Sequence, residues 1–308
     1  MSRFFVSGLV NLETTLAIDG FPLAYFPVRY PFFGVNSSVS GVGFNLAKAL
    51  TTLGDDVEFA TLLGQDENGR RAQDTLAALG VHTRFVLHQM GATPQSVILY
   101  DPEGNRQIHV DLKDIQSQTF PVEKVEGAIQ TCDMALLCNI NFTRPLIAVA
   151  QRAGKPIITD VHALADLQDD YNREFLQAAD ILFLSDERLP GSPEEVAREL
   201  MDRYKAGIVV IGLGAKGALL VVRGDGYIGR YEAVQTRPVV NTIGAGDALL
   251  AAFVHHYVRS ADPYNALKTA MVFASYKVGS NGAAEGYLPA NDLALWVDRI
   301  KEKEEGNG

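Results

Sequence analysis

The chain reads as an α/β protein with a mainly parallel central sheet, covered by helices, and a small β lid. Three observations predict this. Apolar, β-rich runs begin at Arg3 (RFFVSGLV), Asp56 (DVEFATLLG), Asp133 (DMALLCNI), Lys155 (KPIITDV), Ala179 (ADILFLS) and Gly207 (GIVVIGLG). Several lack polar/apolar alternation, the pattern of a strand buried on both faces between helices. Helical patterns separate these runs, which is the βα rhythm of a parallel sheet. Two segments break that rhythm and are expected to form the lid.

In chain order, the helical stretches fall over 44–53, 69–79, 122–130, 144–153 and 193–204. The last is entered through Ser192-Pro193-Glu194-Glu195, a helix-start signal in which serine caps and proline takes the first turn. Residues 14–38 are rich in Phe, Tyr, Pro and Gly and carry no helical period. Residues 94–110 read as a hairpin, QSVILY and RQIHV joined by the turn chemistry of Asp101-Pro102-Glu103-Gly104. These two pieces make a small antiparallel flap when they meet in space. Over the carboxyl ends of parallel strands, such a flap covers the usual ligand crevice. The last third is helical over 247–258, 263–278 and 291–303, followed by a polar end expected to fray. No repeat or interdomain linker is evident, so residues 1–308 are expected to form one domain, although the length alone also allows two.

Composition excludes several classes of function. With 27 Lys+Arg against 37 Asp+Glu the net charge is −10, and no dense basic cluster exists to neutralise a row of phosphates, so no nucleic-acid partner is expected. No window approaches the roughly 18 apolar residues of a spanning helix, so no membrane partner is expected. The two cysteines, Cys132 and Cys138, lie in or beside one apolar run and suit a reducing, cytoplasmic setting.

Three glycine clusters bear on chemistry. Gly212, Gly214 and Gly217, with Lys216 between them, match G-x-G-x-x-G after a strand. A dinucleotide fold needs those glycines to open a helix, whereas here a strand, a tight Asp225-Gly226 turn and another strand follow. The loop is therefore a glycine-rich turn or a nucleotide-contacting loop. In the second cluster, Asn241-Thr242-Ile243-Gly244-Ala245-Gly246-Asp247 runs into the apolar helix ALLAAFVHHYV. The first-turn amides of such a helix form an anion cradle, and Asp247 stands where a carboxylate can take the proton of an attacking alcohol, or else simply caps the helix. In the third, Ser40-Gly41-Val42-Gly43-Phe44-Asn45 again opens a helix, with Asn45 suited to a neutral hydroxyl or left on the surface.

The second and third clusters together resemble the paired signatures of the ribokinase-like (PfkB) family of carbohydrate and nucleoside kinases. Gly41, Gly43, Asn45, Ala47, Gly54 and Gly64 satisfy the first signature, with Ser40 in place of its leading glycine, and Asn241 to Ala252 satisfy the second throughout. The resemblance covers nearly the whole chain. It implies a ribokinase-like three-layer fold, ATP and Mg²⁺ as cofactors, and a sugar or nucleoside as the small-molecule partner. It makes Asp247 the base, and Gly244, Ala245 and Gly246 the anion hole. Gly212, Gly214, Lys216 and Gly217 then lie beside the nucleotide with Gly244 and Gly246. Asn11, Glu13, Gly41, Gly43 and Asn45 face the acceptor with Asp247.

The departures from the family pattern are specific. At Ser185-Asp186-Glu187 the family has Asn-x-x-Glu, so Glu187 is carried over only as a candidate for the metal's water shell. Asp160 falls where the family has an Asp, with an altered continuation, Val161-His162. Asn241 replaces the Asp of members that bind a monovalent cation, which leaves that cofactor open, and Val42 resembles pseudouridine-type kinases more than ribokinases.

Outside the signatures, His255 and His256 read as packed, Trp296 as packing for the last helix, and His109, Asp111 and Asp114 as either substrate-facing or solvated. The reading is an ATP-dependent kinase acting on a hydroxyl, a primary CH₂OH, whose lid excludes competing water. The alternative is a non-catalytic sugar- or nucleoside-binding regulator on the same fold. An exposed lid edge can also pair with a second copy to give a homodimer.

Overall fold

The computed structural model describes residues 1–306. Its main sheet has nine strands: β1 (Arg3–Ser7), β4 (Asp56–Gly64), β5 (His82–Met90), β8 (Met134–Leu137), β9 (Ile157–Ala163), β10 (Ile181–Ser185), β11 (Ile208–Gly212), β12 (Ala218–Val222) and β13 (Tyr227–Tyr231). They lie in the order β13-β12-β11-β10-β9-β8-β1-β4-β5. All pairings from β11 to β5 are parallel, and β12 and β13 close one edge as an antiparallel hairpin. The strand-turn-strand expected after the 212–217 loop is that hairpin.

Side chains of β1 show why the strands read as continuous apolar runs. Phe4 and Val6 point into one core layer with Phe44, Phe59 and Phe253, while Phe5 points into the other with Leu62, Phe142 and Leu182. Each face is covered by helices, and a fully buried Phe contributes roughly 1.5–3 kcal/mol. The first layer is formed by α1 (Val42–Thr52), α2 (Glu67–Ala78), α7 (Ala245–Ser260), α8 (Pro263–Lys277) and α9 (Ala290–Gly306). The second is formed by α3 (Glu126–Thr131), α4 (Arg144–Arg152), α5 (Arg173–Ala178) and α6 (Pro193–Arg203). The expected cap of α6 is present: Ser192 Oγ accepts from Glu195 N–H at 3.3 Å, and Glu195 Oε2 accepts from Ser192 N–H at 3.1 Å.

Four sequence expectations are corrected. The run from Arg3 is not one strand, because the chain leaves the main sheet after Ser7 and re-enters a second sheet as β2 (Asn11–Ala17). Gly8 marks the break, where a Cβ would sit 2.4 Å from Cys138 Sγ. The second sheet, ordered β3-β2-β6-β7 with β3 (Val35–Ser40), β6 (Gln95–Tyr100) and β7 (Arg106–Asp111), is not wholly antiparallel: its central β2·β6 pair is parallel, since the two strands come from separate excursions. The helix expected over 122–130 begins as a 3₁₀ turn at Val122–Lys124. Strand β5 and helix α5 had no sequence reading. The polar end is helical as far as Gly306, and residues 307–308 lie outside the described residues.

One buried ion cluster joins two helices. Asp55, just past α1, accepts from His255 Nδ1 at 2.6 Å and pairs with Arg259 at 2.5 Å, both near the end of α7. His255 is thus packed, as its sequence context suggests.

Candidate active site

Strand order reverses at β1: the chain steps outward through β4 to β5 and then returns to add β8 on the other side of β1, which places a topological switch point at the carboxyl ends of β1 and β8. Helix α1 starts directly over it. A Cβ on Gly43 would lie 2.5 Å from the Gly8 carbonyl carbon, so only glycine lets the helix start this close to the strand end. That approach buries Asn45 and brings it to the start of α7, where its Nδ2 donates to Asp247 Oδ2 at 2.6 Å.

A polar chain extends from this contact into the small sheet. Ser40 Oγ lies 3.5 Å from Asn45 Oδ1 and donates to Glu13 Oε2 at 3.1 Å, while Asn11 Nδ2 donates to Ser96 Oγ at 2.8 Å. Strand register puts Asn11, Glu13, Ser96 and Ile98 on one face of that sheet, together with Arg106, Ile108 and Val110. This face is turned toward the body, since Ile98 packs with Ile243 and Ala283. Glu13 Oε1 and Asn11 Oδ1 are buried acceptors without a partner among the described residues, which fits a ligand rich in O–H donors.

Asp247 is 8% exposed. Burial raises its carboxyl to about 6, opposed by the Asn45 bond and by His162, with neighbouring Asp160 adding to the rise. Burial likewise raises Glu13. Of the loop amides carried over as an anion hole, Gly244 and Gly246 N–H take no backbone partner among the described residues, whereas Ala245 N–H donates to Thr242 O at 3.2 Å. Gly244, at φ 77°, turns the chain into the helix.

The remaining candidates lie on other loops. Gly212 ends β11, Lys216 is exposed on the 3₁₀ turn Gly214–Lys216, and the Gly212 carbonyl accepts from Asp186 N–H at 2.9 Å. Glu187 pairs with Arg106 at 3.1 Å, and the same guanidinium donates to Thr242 Oγ1 at 2.9 Å, tying the small sheet to the loop before α7. Asp160 Oδ2 lies 3.9 Å from the Cβ position of Gly246. Register puts His109 and Asp111 on the face of the small sheet turned away, Asp111 pairs with Lys113, and Asp114 accepts from Gln118 at 2.7 Å, so the structure does not bring these three to the site.

Sequence reasoning missed Arg106, Ser96 and Lys277. Arg106 follows the hairpin turn directly, and Lys277 is a cation closing the apolar second half of α8. Those were the available signals.

The family model described as "pfkB family carbohydrate kinase" matches residues 18–291. The ATP-dependent ribose-1-phosphate kinase of Halopiger xanaduensis is 28% identical over 92% of this chain and 94% of its own length. The acarbose 7(IV)-phosphotransferase of an Actinoplanes species is 25% identical, covering 88% and 90%. Among solved structures, a microbiome-derived acarbose kinase, Mak1, superposes with a TM-score of 0.87 at 25% identity, covering 97% of this chain and 99% of that one.

Proposed function

The chain belongs to the pfkB family of carbohydrate kinases, and from that premise we propose that it transfers the γ-phosphoryl group of ATP to a primary hydroxyl of a neutral sugar. The observation that carries this reading is the buried row Glu13, Ser40, Asn45 and Asp247, which ends in a carboxylate at the amino end of α7.

Asp247 takes the acceptor's proton as its oxygen attacks phosphorus. The free amides of Gly244 and Gly246, with the α7 dipole, stabilise charge growing on the phosphoryl oxygens. Asn45 fixes the orientation of the carboxylate. Asn11 and Glu13 accept hydrogen bonds from ring hydroxyls, and an exocyclic CH₂OH projects far enough to reach Asp247. Gly212, Gly214 and Gly217 allow the nucleotide to lie close to the backbone, with Lys216 at its edge.

Among the described residues no group of three or more His, Cys, Asp or Glu side chains is arranged to hold a metal. Mg²⁺ takes one or two carboxylates and completes its shell with phosphate oxygens and water. Asp160 and Glu187 flank the phosphate position and would hold that water shell. When bound, the ion neutralises phosphate charge.

The acceptor is neutral because Glu13 is the carboxylate facing it, while the Arg106 guanidinium is engaged by Glu187 and Thr242. A phosphorylated sugar would bring a dianion toward Glu13. ADP formation measured over neutral sugars, sugar phosphates and nucleosides checks this. The expected order is neutral sugars first, by about tenfold or more in kcat/KM, equal to about 1.4 kcal/mol. A better sugar phosphate or nucleoside overturns the acceptor assignment, and a chain that binds sugar without turnover is the regulator instead.

The small sheet also supports self-association. Between β2 and β3 the chain exposes Tyr25, Tyr30, Phe32 and Phe33, the last fully, and edge strand β7 is exposed along its whole length. Several exposed aromatic side chains in one loop favour an interface, and an unpaired edge offers a second copy a strand to extend. Sedimentation at micromolar concentration is expected to give a dimer, and the double variant Phe32→Glu/Phe33→Glu a monomer. A native monomer under those conditions removes the proposal.

A further inference from the structure

Lys277 closes α8 and is fully buried, with its Nζ donating to the carbonyl oxygen of Ile243. A buried ammonium is costly to desolvate, and an apolar residue of similar volume would serve packing as well or better. Its place therefore calls for another reason.

The surroundings supply one. Val240 N–H and Asn241 N–H both donate to Val278 O, at 2.8 and 3.0 Å, and Asn241 Nδ2 donates to Asn281 O at 2.6 Å. A Cβ on Gly244 would lie 2.4 Å from Ala283 O. The segment after α8 is thus stitched to the loop that enters α7, with Lys277 at the root of the seam. In a trans peptide the C=O and the following N–H point in opposite directions. A cation holding the Ile243 oxygen on one side therefore aims the Gly244 amide to the other, and that amide has no backbone partner among the described residues.

We propose that Lys277 is a positioning residue for phosphoryl transfer: its ammonium fixes the Ile243–Gly244 peptide so that the Gly244 amide faces the transferring group, and it places a positive charge near Asp247. This rests on the kinase reading above. Burial lowers the Lys277 ammonium to about 8, and the carboxylates of Asp247, Glu13 and Glu285 act against that loss of charge.

Two variants test it. Lys277→Met is expected to lower kcat by about 100-fold or more, the scale of losing one oriented donor, with acceptor KM changed by less than about threefold. Lys277→Ala is expected to regain about tenfold in kcat with millimolar methylammonium, which restores a cation donor, and to gain nothing from sodium. Hydrogen exchange provides a readout independent of turnover: in Lys277→Met the Asn241 and Ala245 amides, which donate to Val278 O and Thr242 O, exchange about tenfold faster while those of β1 and β4 do not change. Turnover within threefold of native in either variant overturns the proposal. So does a loss that methylammonium does not rescue, with or without loss of a cooperative melt, because Lys277 is then purely structural. Absence of ATP turnover by the native chain on every acceptor counts against the kinase reading instead, and the exchange rates still decide the role of Lys277.

Discussion

Asp247→Asn is expected to lower kcat by about 10²–10⁴-fold, the range for removing a positioned general base, while leaving nucleotide binding within a few-fold of native. The amide keeps the shape of the carboxylate and can still accept from Asn45 through its oxygen, so the site persists without a base. In the native chain kcat/KM is expected to rise with pH through about 6, where the buried carboxyl loses its proton, and then to level off.

Stability should move the other way. The folded state raises this carboxyl above the ordinary range, so the stability it contributes is present below about pH 4 and is lost as pH rises through about 6. At pH 7.5 the native chain holds a costly buried anion that the variant lacks, and the variant is expected to melt about 2–4 °C higher. Near-native turnover by Asp247→Asn in a steady-state assay removes this residue from the chemistry. A lower melting point at pH 7.5 shows instead that its ionised form stabilises the fold.

Gly244→Val is expected to be nearly as damaging to catalysis, by a different route. The position has φ 77°, which a β-branched residue strongly resists, and the new side chain would meet Ala283 O at 2.4 Å. The loop must retreat and carry the Gly244 and Gly246 amides with it. A kcat loss of about 10²–10³-fold is expected from misplacing such donors, with about 2–4 kcal/mol of destabilisation in urea unfolding. Destabilisation accompanied by native kcat would show that the amides do not face the reacting phosphoryl group.

Much of this architecture is legible from the chain, for identifiable reasons. The doubly buried strands lack alternation because both faces meet helices, and the glycine clusters around Gly43 and Gly244 mark real close approaches. Asp247 and Asn45 stand out because each follows such a cluster at the start of a helix. Their mutual contact does not, since 202 residues separate them and only the packing of α1 beside α7 joins them. The split of the first apolar run is hidden for a related reason: the sequence shows that 3–10 is apolar, not that Gly8 must yield to Cys138. Arg106 and Lys277 escape notice because a single Arg or Lys is informative only once its burial or its partner is known. Strand β5 contains His82, Arg84, His88 and Gln89, polar residues tolerated because it lies at the outer edge of the sheet.

Helices α1 and α7 run side by side and are fastened at both ends, by Asn45 with Asp247 at the amino ends and by Asp55 with His255 and Arg259 at the far ends. Eight residues of helix separate the two fastenings on α7, about 12 Å. The pair behaves as a single beam whose alignment is set partly at the extremity farthest from any ligand. Selection acting on turnover would therefore reach the distant turn that carries Asp55, and sequence drift there would register as altered chemistry although no reactant comes near it.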